Sequence, residues 1–282
     1  MAKRIIINAD DFGLCKGVNE AVAKAHDVGV LTSATLMVNM PAAEDAVEIA
    51  KLKPSLGVGV HLNLSEGRPV SKENRVNCLL DGDGRFAYSP LKLSAMCIAL
   101  HTIRHAVETE LAAQIQWVID RGLMPTHLDS HKHIHSSPTI FPIVCRLASR
   151  FGISAIRWSF EPKAVCQRPW PLLTEGGRKR AAMIRTMAKI NRIQNRDFLR
   201  TEGLFGIAHT GRVDVNFLRA VALYSPAATA EVMTHPGLAD GLDPSKTRLL
   251  GQRRVEFEAL CSEKTKQCFK DTATKLVHYG QL

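Results

Sequence analysis

Four of the chain's eleven histidines fall within one run, Thr126-His127-Leu128-Asp129-Ser130-His131-Lys132-His133-Ile134-His135. Neutral imidazole is chiefly useful near neutral pH as a metal ligand or a proton carrier, so this density beside a carboxylate points to metal-assisted chemistry. The plainer alternative is a polar loop in which histidines happen to cluster. Two further groups strengthen the metal reading. Asp10 and Asp11 are adjacent carboxylates at the end of the apolar run Arg4-Ile5-Ile6-Ile7. In a continuing strand they would point in opposite directions, one free to bind metal and the other to take a proton; one of them could instead cap a helix starting near Lys16. His61 interrupts Val58-Gly59-Val60-His61-Leu62, where an apolar residue would serve a buried strand better. One Asp and two His, with open positions for water and substrate, form the usual donor set of a catalytic divalent site. Strand alternation would put His131, His133 and His135 on one face, so spacing leaves open which of them is the ligand.

These residues need elements to bring them together. Lys3 to Asn8, Thr32 to Val38, Gly57 to Leu62, Thr126 to Asp129, Ala155 to Trp158, Leu204 to Ala208 and Ala230 to Met233 read as seven strands, being short apolar or β-branched runs bounded by turn residues. Helical segments alternate with them at Val18 to His26, Ala42 to Lys51, Leu91 to Asp120, Pro138 to Arg150, Arg178 to Leu199 and Val213 to Tyr224, with Thr247 to Val277 closing the chain. Such alternation implies an α/β fold with parallel pairing. An unbroken series of about seven units favours a closed or nearly closed barrel, akin to a TIM barrel, over a doubly wound open sheet. Asp10, Asp11, His61, Asp129, His131, Arg157, His209 and His235 all lie at or just beyond the C-terminal ends of these strands, and in a parallel barrel those ends meet at one mouth. With no repeat or linker, residues 1–282 read as one catalytic domain with long loops at about 63–90 and 161–177.

Composition narrows the setting. The seven cysteines are odd in number, spread out and free of any C-x-x-C pair, so neither a disulfide framework nor a zinc knuckle is indicated. The N-terminus has no signal-peptide pattern and no stretch reaches membrane-span length, which leads to the expectation of a soluble cytoplasmic protein. The net charge of +10 is concentrated between Gly176 and Arg200, where Arg178, Lys179, Arg180, Arg185, Lys189, Arg192, Arg196 and Arg200 face a single acid, Asp197. With Met183, Ile184, Met187, Ile190 and Ile193 at helical spacing, residues 178–199 read as a basic amphipathic helix. Peripheral contact with an anionic membrane is one reading and a solvated surface helix is the other. Nucleic acid is disfavoured because no aromatic residues interleave with the charges. A homo-oligomer is compatible with the sequence.

Ala9-Asp10-Asp11-Phe12-Gly13, Gly59-Val60-His61-Leu62-Asn63, the histidine run and Thr234-His235-Pro236 together resemble the YdjC-like carbohydrate deacetylases, the family that includes chitooligosaccharide deacetylases. The resemblance implies a distorted β/α barrel and metal-dependent removal of acetyl groups from N-acetylated sugars. Carried over residue by residue, it makes Asp11, His61 and His131 the ligands of one divalent ion, magnesium or zinc, with Asp10 the general base and His235 the general acid. Asp129, His133, His135, Arg157 and His209 are then expected to touch substrate or support the ligands. Ser33-Ala34-Thr35-Leu36-Met37-Val38, Leu80-Asp81-Gly82-Asp83-Gly84-Arg85-Phe86 and Leu204-Phe205-Gly206-Ile207-Ala208-His209-Thr210-Gly211-Arg212 are similar to the branch associated with hopanoid biosynthesis, which would make the substrate an N-acetylglucosaminyl glycolipid. The rivals are another metallohydrolase on the same fold and a non-catalytic carbohydrate or lipid-surface module.

Overall fold

The computed structural model of the chain describes residues 3–166, 170–171, 174–192, 197–244 and 247–282. Seven strands form one parallel sheet: β1 (Arg4–Phe12), β2 (Ser33–Leu36), β3 (Gly57–Leu62), β4 (Leu128–Ser130), β5 (Gly203–Phe205), β6 (Thr229–Thr234) and β7 (Lys275–Leu276). Their order is β4-β3-β2-β1-β6-β5, and the short β7 pairs with the start of β1. The sheet curls towards closure across residues 155–160, which bond to both of its ends: Leu128 N–H donates to Ala155 O at 3.0 Å and Leu204 N–H to Phe160 O at 2.9 Å. The result is a distorted α/β barrel. The expected strand Ala155 to Trp158 is reduced to single bridges with Leu128 and Leu199. Pro162, which has no N–H to donate, limits its continuation.

Strand alternation sorts the side chains into two layers. Ile5, Ile7 and Ala9 of β1, Val58, Val60 and Leu62 of β3, and Ala230 and Val232 of β6 belong to the main apolar core. Fully burying one such aliphatic side chain is worth about 1.5–3 kcal/mol, which holds the helices against the strands. The intervening positions are Ile6, Asn8 and Asp10 on β1, Gly59 and His61 on β3, Asp129 on β4 and Glu231 on β6. Their side chains sit inside the curl and become more polar towards its C-terminal mouth. Gly59 is needed here because a Cβ would lie 2.5 Å from the His127 ring.

The helices are α1 (Lys16–Val28), α2 (Ala43–Leu52), α3 (Pro90–Ala99), α4 (His101–Asp120), α5 (Phe141–Arg150), α6 (Glu175–Ile190), α7 (Val215–Tyr224), α8 (Gly251–Cys261) and α9 (Glu263–Asp271). On α1, Val18, Ala21, Val22 and Ala25 are buried at the spacing of one helical face. The expected helix Leu91 to Asp120 is two helices, broken where Leu100 adopts φ −122°, ψ 112°. Arg104 Nη1 caps the first of them by donating to Cys97 O at 2.8 Å. The closing segment Thr247 to Val277 is likewise two helices and β7, separated at Ser262, whose ψ is 132°. The expected loop at 63–90 contains a short 3-10 turn, Asn74–Leu79.

The basic helix begins at Thr174, whose hydroxyl accepts from Gly177 N–H at 3.0 Å, and α6 ends at Ile190. Ile193 and Arg196, and the stretches 167–169 and 172–173 of the second expected loop, lie outside the described residues. Its core face is Gly177, Ala181, Ile184 and Ala188 rather than the expected methionine-rich stripe; Met183 and Ile190 are exposed. Small residues win that face because α6 packs closely on the loop after β5, where a Cβ at Gly177 would meet Ala208 O at 2.3 Å. Among the described residues no helix is long and apolar enough to cross a membrane.

Candidate metal centre and active-site cleft

The two adjacent aspartates do not simply alternate. The pairing of β1 with β2 shifts register between Ala9 and Phe12, and Asp11 has φ 67°, a left-handed conformation that costs a non-glycine residue energy and marks functional sites. The bulge turns both Asp10 and Asp11 into the same cleft, where strand geometry would have separated them. The histidine run also departs from expectation. Strand β4 ends at Ser130, and His131–Ser136 form a 3-10 turn in which Lys132 and His133 have φ 53° and 54°. His131, His133 and His135 therefore do not share a strand face.

That turn brings His131 to Asp11. His131 Nδ1 lies 3.0 Å from Asp11 Oδ1, and His61 Nε2 lies 3.5 Å from the same oxygen. Donors bound about 2.0–2.2 Å from one ion stand about 3.0–3.5 Å apart; these two separations fall in that range, and the donor atoms of Asp11, His61 and His131 all lie within 4.8 Å of one another, a grouping that could hold a metal ion. Each member has an outer partner. His61 Nδ1 donates to Asp129 Oδ1 at 2.7 Å, which turns Nε2 towards Asp11. His131 Nε2 donates to Glu66 Oε1 at 3.1 Å, which turns Nδ1 towards Asp11 in the same way. Arg253 Nη2 donates to Asp11 Oδ2 at 2.5 Å, leaving Oδ1 for the shared position. Carboxylates that orient ligating histidines through the far ring nitrogen are the usual support of a metal site. Burial alone would depress His61, but Asp129 and Asp10 outweigh it and raise its pKa to about 10. Asp10, Asp129 and Glu231 meet the guanidinium of Arg157, and Asp11 meets that of Arg253.

Arg157 is fully buried beneath this triad and is not among the residues that line the cleft. Its guanidinium meets three carboxylates: Asp10, Asp129 Oδ2 at 2.6 Å and Glu231 Oε1 at 2.6 Å. Burial would raise Asp10, but the charge and hydrogen bonds of Arg157, with His61 and His235, hold its carboxyl well below the usual carboxylate range. Tyr279, from the C-terminal segment, donates its hydroxyl to Glu231 Oε2 at 2.5 Å and stacks on His127 with ring centroids 3.9 Å apart. Thr35 lies between Asp129 and His61, 3.1 Å from Asp129 Oδ2.

Asp10, Asp11, His61, His131, His133 and His235 line a cleft of about 810 Å3. His235 is buried on its Nδ1 side, and burial pushes its pKa down to about 4 despite Asp11 and Asp10 nearby. His133 faces the cleft from its left-handed turn. His135 is buried instead, between Ser130 Oγ at 2.5 Å and the Arg157 carbonyl at 3.2 Å. His209 is not brought to the site: its Nε2 bonds to Pro171 O and its ring packs on Phe217. The sequence reading did not include Glu66, Thr35, Glu231, Arg253 or Glu256. Of these only Glu231, a lone acid in an apolar strand, carried a visible signal.

Comparison with known proteins gives a consistent setting. A family model described as YdjC-like protein matches residues 4–271. A carbohydrate deacetylase of Brevibacillus brevis is 35% identical over 280 residues, covering 99% of both chains. One from Clostridium beijerinckii is 30% identical over 99% of this chain and 100% of its own. A third, from Geobacillus stearothermophilus, is 46% identical over 153 residues, 54% of this chain and 59% of its own. The crystal structure of an Enterococcus faecalis protein, provisionally called a cellobiose-phosphate cleavage protein, superposes with a TM-score of 0.77 at 23% identity, covering 100% of this chain and 99% of that one. At that identity the likeness concerns the fold.

Proposed function

This chain belongs to the YdjC-like family, and on that premise we propose that it hydrolyses the acetamide of an N-acetylated sugar with one divalent metal ion held by Asp11, His61 and His131. The observation that carries the reading is the triad with its three outer partners, set in the same cleft as a carboxylate and a histidine suited to move protons. The carbohydrate deacetylase relatives that align with nearly the whole chain support the substrate class.

A divalent ion in that triad would supply Lewis acidity and make a water more acidic, towards a pKa of about 7. Asp10, clamped by Arg157, stays ionised and is a weak base, competent only towards a proton made labile in this way. Asp10 takes the proton of the attacking water and hands it on to His235, whose buried ring is neutral at rest, and His235 then delivers it to the amine nitrogen as the C–N bond breaks. Free amide anion is too poor a leaving group to depart without that proton. His133, which lines the cleft, would contact the sugar.

The rest of the cleft suits a partly apolar substrate, since Met40, Leu91, Ile134, Met183, Met187 and Leu249 line it. That favours a glycolipid, including one with a hopanoid aglycone, over a fully polar oligosaccharide. Arg178, Lys179 and Lys189 are exposed on α6 beside exposed Met183 and Ile190, which fits peripheral contact of this edge with the cytoplasmic face of an anionic membrane. The deciding experiment is acetate release from a panel running from N-acetylglucosamine through chitobiose to N-acetylglucosaminyl lipids, with phosphate release from sugar phosphates in parallel. Phosphate release without acetate would overturn the proposal. Liposome co-sedimentation that is indifferent to salt would overturn the membrane contact, because screening should weaken it.

A further inference from the structure

We propose that Glu256 is the positioning residue of His235, holding the ring so that Nδ1 carries a proton towards Glu256 and Nε2 faces the substrate amine. This deepens the deacetylase reading and rests on it.

Glu256 lies on α8, far from His235 in sequence, and is fully buried behind the end of β6. Its Oε1 accepts Gly211 N–H at 2.9 Å and its Oε2 accepts the backbone N–H of His235 at 2.5 Å. The carboxylate is therefore fixed by amides from two loops and in turn fixes the backbone that carries the ring. The same Oε2 is 3.9 Å from His235 Nδ1. That nitrogen is sealed from solvent without a hydrogen-bond partner among the described residues, while His235 itself lines the cleft, which leaves Nε2 as the nitrogen on the cleft side. A buried imidazole nitrogen without a partner is costly, and a gap about 1 Å beyond bonding distance is of the kind that closes when substrate binds.

The other charged and titratable groups that face His235 are Asp10 and Asp11 from β1, His61 from β3 and Arg253, one turn before Glu256 on α8. The aspartates are committed to Arg157 and to Arg253 with the histidine triad, so Glu256 is the carboxylate available to the back of the ring. In the reaction Nε2, unprotonated in the resting tautomer, receives the proton that Asp10 has taken from the attacking water and passes it to the departing nitrogen as the C–N bond breaks. The Nδ1 proton stays in place, and Glu256 stabilises the transient imidazolium without taking that proton.

The test is a double-mutant cycle on the metal-loaded full chain, with acetate release from an N-acetylglucosamine oligosaccharide or lipid as readout. E256Q is expected to lower kcat roughly 10²- to 10⁴-fold with KM little changed. In the H235Q background the same substitution should have no further effect, because Glu256 acts through that ring. A further tenfold loss there would overturn the proposal, since a structural role would act in either background. A readout independent of turnover is the 15N spectrum of His235 in protein loaded with diamagnetic zinc or magnesium. The Nδ1–H tautomer should dominate in the wild type and become a mixture in E256Q. A dominant Nε2–H tautomer in the wild type overturns the assignment even if E256Q fails to fold. A wild type that releases acetate from no sugar would sink the deacetylase reading, while the tautomer would still decide the place of Glu256.

Discussion

Arg157 grips Asp10 with both terminal nitrogens, Nη1 to Oδ2 at 2.8 Å and Nη2 to Oδ1 at 2.6 Å. This fork fixes the plane of the carboxylate as well as its charge. The same guanidinium also touches Asp129 and Glu231, so it links the proposed base to the hydrogen-bond partner of His61, a proposed metal ligand. Replacing it with methionine would leave three buried carboxylates facing one another without their cation. Losing one member of a buried ion pair costs about 3–5 kcal/mol, so Arg157→Met should unfold at markedly lower denaturant concentration than the wild type. Urea unfolding within about 1 kcal/mol of wild type would show that the network is not structural.

Glu66 and Asp129 should tune metal affinity without being ligands. Each accepts the far N–H of a proposed histidine ligand and so fixes the orientation of its ring. Glu66→Gln and Asp129→Asn should each weaken divalent-metal binding about 10- to 100-fold, measured by competition with a chelator, whereas His61→Ala should abolish stoichiometric binding. Unchanged affinity in both carboxamide variants would argue that the histidines are oriented by something else.

His235 is not one of the proposed metal donors, and its replacement should separate binding from chemistry. His235→Ala should retain metal content while turnover falls about 100-fold or more. Metal analysis alongside the acetate assay checks this, and full activity in the variant would remove His235 from the proton path.

Glu161 gives a pH dependence whose sign follows from its surroundings. Its carboxyl oxygens accept Gly206 N–H at 2.9 Å and Ala208 N–H at 2.8 Å, holding the loop after β5. Burial nonetheless pushes its pKa from 4.5 to about 7, against the pull of those amides. The native state then keeps a proton that the unfolded chain releases. This contribution is complete below the unfolded value and is lost as pH rises through about 7. The shift corresponds to roughly 3 kcal/mol at most. Urea unfolding at about pH 5 and pH 8 should show a smaller loss of stability in Glu161→Gln than in the wild type. Equal losses in the two proteins would mean that Glu161 does not carry the effect.

Much of this arrangement is legible in the chain because β strands have a period of two. Asp10, His61, Asp129 and His235 stand where apolar runs end, and parallel strands bring those ends to one mouth. The pairing of His131 with Asp11 is less visible, because it needs a bulge in β1 and a left-handed turn after β4, neither of which has a glycine to announce it. Glu66, Arg253 and Glu256 are hidden for another reason. They reach the site from a loop and from α8, where an acidic or basic residue reads as ordinary surface until the crossing of helix and sheet is known. His209 shows the converse: it follows a strand yet is turned away by packing on Phe217.

The C-terminal segment tests how far the site depends on support from below. Tyr279 is fully buried, and its hydroxyl is bonded to Glu231, which shares the guanidinium of Arg157 with Asp10. Tyr279→Phe keeps the ring that stacks on His127 and removes only the donor. Leaving a buried acceptor without its donor costs about 1–3 kcal/mol, so the melting temperature should fall measurably. Glu231 would then depend more heavily on Arg157 and draw its charge away from Asp10, so kcat should fall while KM changes little. Because Tyr279 lies outside the cleft lining, a large rise in KM with kcat intact would contradict this route from the C-terminal segment to Asp10.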